Sequence, residues 1–292
     1  MAYCVDRDLA PKAATPDNVS EFFAWLATST SSWRTVEQAS AAITFFYSMD
    51  GLPTPVLHPS VRLTFAGIKR QFSRPPRKVK PFTAEIIKAL VDTLTPESDV
   101  KSWRTVFAAL FKYSTFARYN CVSKVKVQDL TFTPSGLIVT FPSSKTDQLR
   151  QGQAVFVKAT GSPYCPVKMC ERYVIRVMTE IWLRRPNDLF DGLLFPDLGP
   201  LIAGSRAVLD EPMSYNCSLS ALRLALRGIG VPDPRAYTEH SGRRGGATAA
   251  AAAGRSLPVI QHQGRWKSAA SAQEYIDESY FLNNTLSYDL GL

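Results

Sequence analysis

The sequence predicts a mainly α-helical fold with one small antiparallel β-sheet (α+β). Apolar residues recur at helical spacing over most of the chain, and three short runs rich in β-branched and aromatic residues lie between turns in its middle. The 292 residues suffice for one large or two modest domains, and a hydrophobic share of 45% is typical of a globular protein. We expect two domains, residues 1–73 and 83–292, joined by a linker over residues 74–82.

The N-terminal domain is predicted to be a small helical bundle. Thr15-Pro16 is typical of a helix start, because the hydroxyl can cap the helix and proline suits its first position. A second helix is expected from about Ser32 to Asp50, where Gly51 follows, and a third helix after Pro59-Ser60.

A basic, proline-containing segment follows this bundle. Its two adjacent prolines disfavour a helix and favour an extended chain. No acidic residue interrupts its basic residues, so the segment fits both a solvated linker and a strap along a DNA backbone. The basic residues are Lys69, Arg70, Arg74, Arg77, Lys78 and Lys80.

The second domain is predicted to begin with a helix capped by Thr83. Strand composition appears over residues 125–130, 137–141 and 154–157, which indicates a small antiparallel sheet. Helical patterns are expected over residues 103–118, 165–185, 219–227, 242–253, 257–263 and 268–282.

The composition disfavours several functional classes. Five scattered cysteines do not form a disulfide framework, and three histidines argue against a histidine-built metal centre, so we expect no metal and no cofactor. No stretch resembles a signal peptide or a membrane span, and we expect a nuclear protein if the source is eukaryotic and otherwise a cytoplasmic one. The net charge of +9 fits a polyanion partner, although an ordinary basic protein would carry it too.

One segment of the last third combines residues suited to phosphate chemistry. His240 and Arg243 are separated by one helical turn where a loop enters a predicted helix, so their side chains can share a face near a positive helix end. Arginine meets phosphate oxygens with a planar fork and keeps its charge, and a tyrosine oxygen can form a covalent phosphoester. Alone, such a pair is also typical of a surface hydrogen bond.

The segment around His240 and Arg243, the Gly-Arg-Trp266 triplet and the Gln-Glu-Tyr275 triplet together resemble the C-terminal signature of the tyrosine recombinases (phage-integrase family). In most members a histidine directly follows the glycine, nine residues before the tyrosine. Here Arg265 intervenes and Trp266 occupies that position. The segments around Lys145 and Cys165 resemble recombinases of eukaryotic retroelements and related mobile elements.

The resemblance implies a helical core-DNA-binding domain, a catalytic domain with a C-terminal tail, and specific roles. Tyr275 would be the nucleophile, His240 a base and Lys145 the acid, while Arg118, Arg243 and Trp266 would stabilise the transition state. Arg118 is also typical of a helix C-terminus, Lys145 could pair with Asp147, and Tyr275 could be a core residue of its helix. Members often have an acidic residue three positions after the first arginine, where this chain has Cys121.

The implied function is site-specific recombination through a 3′-phosphotyrosine. Double-stranded DNA would be the partner. The protein would bind DNA as a homotetramer and would be a monomer or dimer in the absence of DNA. Besides the basic residues of the linker region, the expected DNA contacts are Arg244, Arg265 and Lys267. Two alternatives remain: nicking and religation as in topoisomerase IB, and a catalytically inactive DNA-binding protein.

Overall fold

The computed structural model describes Tyr3 and residues 10–73, 79–143, 152–184, 192–199 and 211–277. The chain divides into two compact units, Met1–Arg77 and Lys78–Leu292. None of the helices in these described ranges has the length and apolar character that a membrane span requires.

Among residues 10–73, the first unit contains a bundle of three α-helices, as predicted. They are α1 (Pro16–Thr30), α2 (Trp33–Met49) and α3 (Pro59–Phe72). The Thr15 hydroxyl accepts a hydrogen bond from the Asn18 backbone N–H, which satisfies one free donor at the start of α1. Buried apolar side chains from all three helices form the core of the unit, and they are Val19, Phe23, Ala27, Val36, Val61 and Ile68.

The second unit is mainly helical and carries the sheet. Its elements in chain order are α4 (Ala84–Asp92), α5 (Val100–Thr115), α6 (Tyr119–Val122), β1 (Leu130–Thr133), β2 (Gly136–Phe141), β3 (Gln153–Lys158), α7 (Pro166–Arg184), α8 (Tyr215–Gly228), α9 (Ser241–Ala252), α10 (Leu257–Gly264) and α11 (Ala269–Gln273). The predicted fold class, mainly α with a small antiparallel sheet, is confirmed.

The three strands pair antiparallel in the order β1-β2-β3. The second and third strands form where the sequence predicts them. The first strand was predicted over residues 125–130, but that stretch contains a 3-10 turn at Val127–Asp129, and β1 begins only at Leu130. The Asp129 carboxylate accepts the backbone N–H of Lys126, which favours the turn over an extended chain.

Helix α5 is the centre of the second unit and packs against α7, α8 and α9. Glycines on α9 allow its backbone to approach α5 closely. A Cβ atom at Gly242 would lie 2.9 Å from the Cβ of Lys112, and one at Gly246 would overlap the carbonyl of Tyr113. This close packing places the side chain between those glycines, Arg243, against the C-terminal end of α5.

The end of the predicted linker belongs to the second unit. The backbone N–H groups of Lys80 and Phe82 donate to the carbonyls of Ala236 and Ser241, and the Phe82 side chain is buried. Residues 74–78 of the linker lie outside the described residues. The described end of this segment is therefore hydrogen-bonded to the second unit rather than free.

The C-terminal helix is shorter than the predicted 268–282. Helix α11 ends at Gln273, and single-turn hydrogen bonds carry the chain through Tyr275 to Ile276. The tyrosine therefore lies just beyond a helix and not within one. The predicted tail from residue 278 onward lies outside the described residues.

Candidate active site

Arg243 is the central residue of the candidate site. Its side chain is fully buried although it carries a guanidinium group. The guanidinium donates to the carbonyl of Phe116 and lies 3.8 Å above the Trp266 ring and 4.9 Å above the Tyr275 ring. These contacts hold its planar fork in one orientation.

Trp266 and Tyr275 lie together on one side of that guanidinium. Their ring centroids are 5.1 Å apart, and Phe116 and Ile276 belong to the same buried apolar cluster as Trp266. Gly264 allows the Trp266 ring to fold back onto α10, because a Cβ at that glycine would overlap the ring. The local sequence therefore positions the indole against the tyrosine.

His240 occupies the N-cap position of α9, and its ring centroid is 6.5 Å from that of Tyr275. The residue keeps an exposed surface, yet its imidazole lies among cations. Desolvation, followed by the charges of Arg118 and Arg243, lowers the pKa of His240 below 6.5. The imidazole is therefore mainly neutral at pH 7 and able to accept a proton.

Arg118 lies just beyond α5 and forms the N-cap of α6. Its charge lowers the pKa values of His240, Arg243 and Arg265, so its half-buried side chain belongs to the same group of residues. Three residues later, at the position where the family often has an acid, the Cys121 side chain is buried.

Arg265, which the sequence predicts to contact DNA, lies inside the second unit. Its side chain is buried, its guanidinium carbon lies 3.9 Å above the Phe141 ring, and its Nη1 lies 3.5 Å from the Thr115 carbonyl. The chain turns inward after α10, with Arg265 itself in the left-handed region at φ 56°. The predicted contact of Arg265 with a DNA phosphate stays a prediction.

Arg244 also lies inside the protein rather than on an exposed surface. Its Nε and Nη2 atoms donate to the carboxylate of Asp277 at 3.0 and 2.9 Å, and its Nη1 donates to the carbonyl of Glu274. All three nitrogens therefore have protein acceptors. Arg244 is therefore held by contacts within the protein, and its predicted contact with DNA stays a prediction.

Several buried donors around Arg243 have no acceptor among the described residues. They are Nε and Nη2 of Arg243, Nη2 of Arg265 and Nε1 of Trp266. Burial, followed by the charge of Arg118, lowers the pKa of Arg243 to about 9, and burial lowers that of Arg265 to about 10. Buried donors are usually satisfied, so this arrangement fits an anion with several acceptor oxygens.

The remaining predicted residues divide into two groups. Lys69, Arg70, Lys80 and Lys267 are exposed. Lys145, Arg74, Arg77 and Lys78 lie outside the described residues. Across the part of the chain that the structure describes, no group of three His, Cys, Asp or Glu side chains could hold a metal ion.

One buried pair beside the site was not predicted. The ammonium of Lys112 forms an ion pair with the carboxylate of Glu239, which also accepts a hydrogen bond from the Ser218 hydroxyl. Glu239 directly precedes His240, so the pair anchors the start of α9. The sequence offers no local signal for it, because the two residues are far apart along the chain.

No family model matches the chain. It is 27% identical over 243 residues to an integrase/recombinase xerD homolog of Selenomonas ruminantium, and the match covers 81% of this chain and 65% of the relative. The chain therefore spans 65% of the length of that curated relative.

Solved structures share the fold at low sequence identity. A XerH site-specific recombinase in a post-cleavage complex with difH aligns with a TM-score of 0.59 at 13% identity, covering 96% of this chain and 73% of that one. The Tn1549 transposon integrase with transposon right end DNA gives 0.60 at 12%, covering 92% and 82%. A lambda integrase dimer bound to a COC′ core site gives 0.57 at 14%, covering 95% and 86%.

These likenesses define the class: the chain has the fold of the integrases and site-specific recombinases. Together with the curated relative, they confirm its resemblance to the tyrosine recombinase family.

Proposed function

We propose that this chain is a tyrosine-type DNA strand transferase, a site-specific recombinase or integrase. The observation that carries the proposal is the buried guanidinium of Arg243, which lies against the rings of Trp266 and Tyr275 and retains donors without protein acceptors. A phosphate would satisfy these donors beside a tyrosine that can attack it.

The proposed reaction needs charge stabilisation and two proton transfers. The Tyr275 hydroxyl gives its proton to neutral His240 and attacks the phosphorus, which forms the tyrosine O–P bond and breaks the bond to the 5′-oxygen. Arg118, Arg243 and Trp266 stabilise the charge on the non-bridging oxygens. By the family resemblance, Lys145 protonates the leaving 5′-oxygen, and a 5′-hydroxyl of another strand later reverses the step.

Double-stranded DNA is the proposed partner. The chain carries a net charge of +9, and the recombinases and integrases with the same fold include several that are bound to DNA. Exposed Lys69, Arg70, Lys80 and Lys267 would contact backbone phosphates. We further propose a homotetramer on DNA, and a nuclear location if the source is eukaryotic or otherwise a cytoplasmic one.

Covalent capture of DNA tests this function. The purified chain is mixed with nicked duplexes from the DNA flanking its gene, denatured and analysed for a protein–DNA adduct. We expect an adduct with the wild type and with the Tyr280→Phe and Tyr288→Phe controls, and none with Tyr275→Phe. An adduct that persists in Tyr275→Phe would refute the assignment of the nucleophile.

A second candidate function is an inactive DNA-binding protein. The buried Cys121, at the position where the family often has an acid, favours it because a supporting contact to Arg118 is then lacking. Salt-sensitive DNA binding with no adduct on any duplex would support this candidate. Adducts without recombinant products would instead support nicking and religation.

A further inference from the structure

The carbonyls at the C-terminal end of α5 receive three side chains from the last third of the chain. Gln263 Nε2 donates to the carbonyl of Ser114 at 3.0 Å, Arg265 Nη1 approaches that of Thr115, and Arg243 donates to that of Phe116. Cations are favoured at this end of a helix. Consecutive carbonyls thus hold the guanidinium groups of Arg243 and Arg265 at the same point of the fold.

The local backbone and stacking fix the position of Arg265. Its left-handed conformation, φ 56° and ψ 42°, closes α10 at a position that usually favours glycine. A non-glycine residue in this region is strained, and such strain often accompanies a functional side chain. The Phe141 ring then supports one face of the guanidinium.

The charge of Arg265 is not balanced within the described protein. Its Nη2 atom is buried without an acceptor, no carboxylate of the described residues forms an ion pair with it, and its cationic neighbours are Arg118 and Arg243. Placing three arginine side chains together in a largely buried site without a carboxylate is unfavourable in free energy unless a bound anion neutralises them. A cavity lined by Arg265, Trp266 and Lys267 lies next to these side chains.

We propose that Arg265 is a third phosphate-binding arginine, which contacts a non-bridging oxygen of the same phosphate that Arg243 holds. This inference rests on the proposed function. In most family members a glycine directly precedes the histidine that lies nine residues before the tyrosine. In this chain Arg265 directly precedes Trp266, which occupies that position, so Arg265 adds a positive charge to the site. Arg265 stabilises the negative charge that develops on the phosphate during cleavage, and it transfers no proton.

Inorganic phosphate tests the binding part of this inference without any DNA. The full chain is titrated with phosphate at constant ionic strength, and the melting temperature is followed. We expect phosphate to stabilise the wild type and the exposed-arginine control Arg255→Gln equally. Arg265→Gln should weaken phosphate binding at least tenfold, and Arg265→Lys less, because it keeps the charge but loses the fork.

The same titration separates binding from a purely structural role. An arginine that only supports the fold would lower the melting temperature of the phosphate-free variant and leave phosphate affinity unchanged, and either this result or a wild type that binds no phosphate would overturn the inference. If Arg265→Gln does not fold, the phosphate affinity of Arg265→Lys is compared with that of the wild type instead.

A second measurement uses a duplex with a methylphosphonate at the scissile position, which removes one charged oxygen. The cleavage defect of Arg265→Gln should shrink at least tenfold on this duplex relative to the ordinary phosphate. An equal defect on both duplexes, or a rescue only when the neighbouring phosphate is neutralised, would overturn the assignment. These results are distinguishable from a failure of the proposed function. In that case the wild type would form no Tyr275 adduct with DNA, while phosphate binding would still depend on Arg265.

Discussion

Arg244 and Asp277 form an ion pair at 2.9 Å that holds the chain on both sides of Tyr275. The same guanidinium donates to the carbonyl of Glu274, the residue before the tyrosine, while Asp277 follows two residues after it. The Thr248 hydroxyl accepts the backbone N–H of Asp277 and thereby ties this turn to α9. The tyrosine backbone is therefore positioned by the helix that also carries Arg243.

Asp277→Asn is expected to slow DNA cleavage at least tenfold while DNA affinity changes little. The substitution weakens the pair with Arg244 and loosens the turn, and small displacements of a nucleophile have large effects on rate. Single-turnover cleavage and equilibrium binding measure the two quantities. Glu274→Gln is the matched control, because only the backbone of that residue contacts Arg244; an equal loss in this control would contradict the explanation.

Arg244→Gln and Lys267→Gln should differ in the salt dependence of DNA binding. Each side chain that neutralises a phosphate contributes about 0.9 to the slope of log affinity against log salt concentration. Lys267 is exposed and should contribute, whereas every nitrogen of Arg244 has a protein acceptor. The slope should therefore fall by about one unit for Lys267→Gln and stay unchanged for Arg244→Gln. A reduced slope in the latter would restore Arg244 as a DNA contact.

Trp266→Phe should reduce cleavage by about 100-fold, because loss of one preorganised donor to a developing oxyanion typically has this effect. The substitution keeps an aromatic ring beside Arg243 and removes the indole N–H, which has no acceptor in the described protein. Trp103→Phe is a matched control, since its indole N–H is also buried without a partner but its ring packs against the main core of the second unit, away from Arg243. Similar rates for both variants would show that the Trp266 donor does not act on the phosphate.

The cleavage rate should fall as the pH is lowered through a value below 6.5. The pKa of His240 is lowered by desolvation and by neighbouring arginines, and only its neutral form accepts the tyrosine proton. The unfolded chain binds this proton more readily, so the free energy of unfolding should also decrease on the acid side. A pH profile of single-turnover cleavage tests the first effect. Its acid limb should disappear in His240→Gln and persist in His262→Gln, and an unchanged limb in His240→Gln would exclude His240 as the base.

Much of the fold and part of the candidate site could be predicted from local sequence patterns. Thr15 and Thr83 cap helices because a cap is decided within four residues, and the last two strands follow their β-branched composition. The resemblance to the tyrosine recombinases, which rests in part on the spacing of Trp266 and Tyr275, likewise predicts that Arg243, Trp266 and Tyr275 act together.

The remaining features depend on partners that are distant along the chain. The burial of Arg265 depends on Thr115 and Phe141, and that of Arg244 depends on Asp277. No spacing rule separates an arginine directed at solvent from one directed at a carbonyl 150 residues away. The helix expected around Tyr275 ends early, because packing against α9 determines the path of the chain there.

Lys112 and Glu239 form a buried ion pair next to the candidate site. Both side chains are at most 3% exposed, and the pair links α5 to the residue before His240. Glu239→Ala should lower the free energy of unfolding by about 3–5 kcal/mol, because it leaves the Lys112 ammonium buried without its partner.

The double variant Lys112→Met with Glu239→Leu removes both charges and should recover most of that loss. Chemical denaturation of the three proteins measures the difference, with Glu171→Ala at an exposed site as the control. If the double variant were less stable than Glu239→Ala, desolvation of the ammonium would not be the cause. If its stability recovers while cleavage remains slow, the pair also positions His240, since the same carboxylate holds the start of α9 against α5.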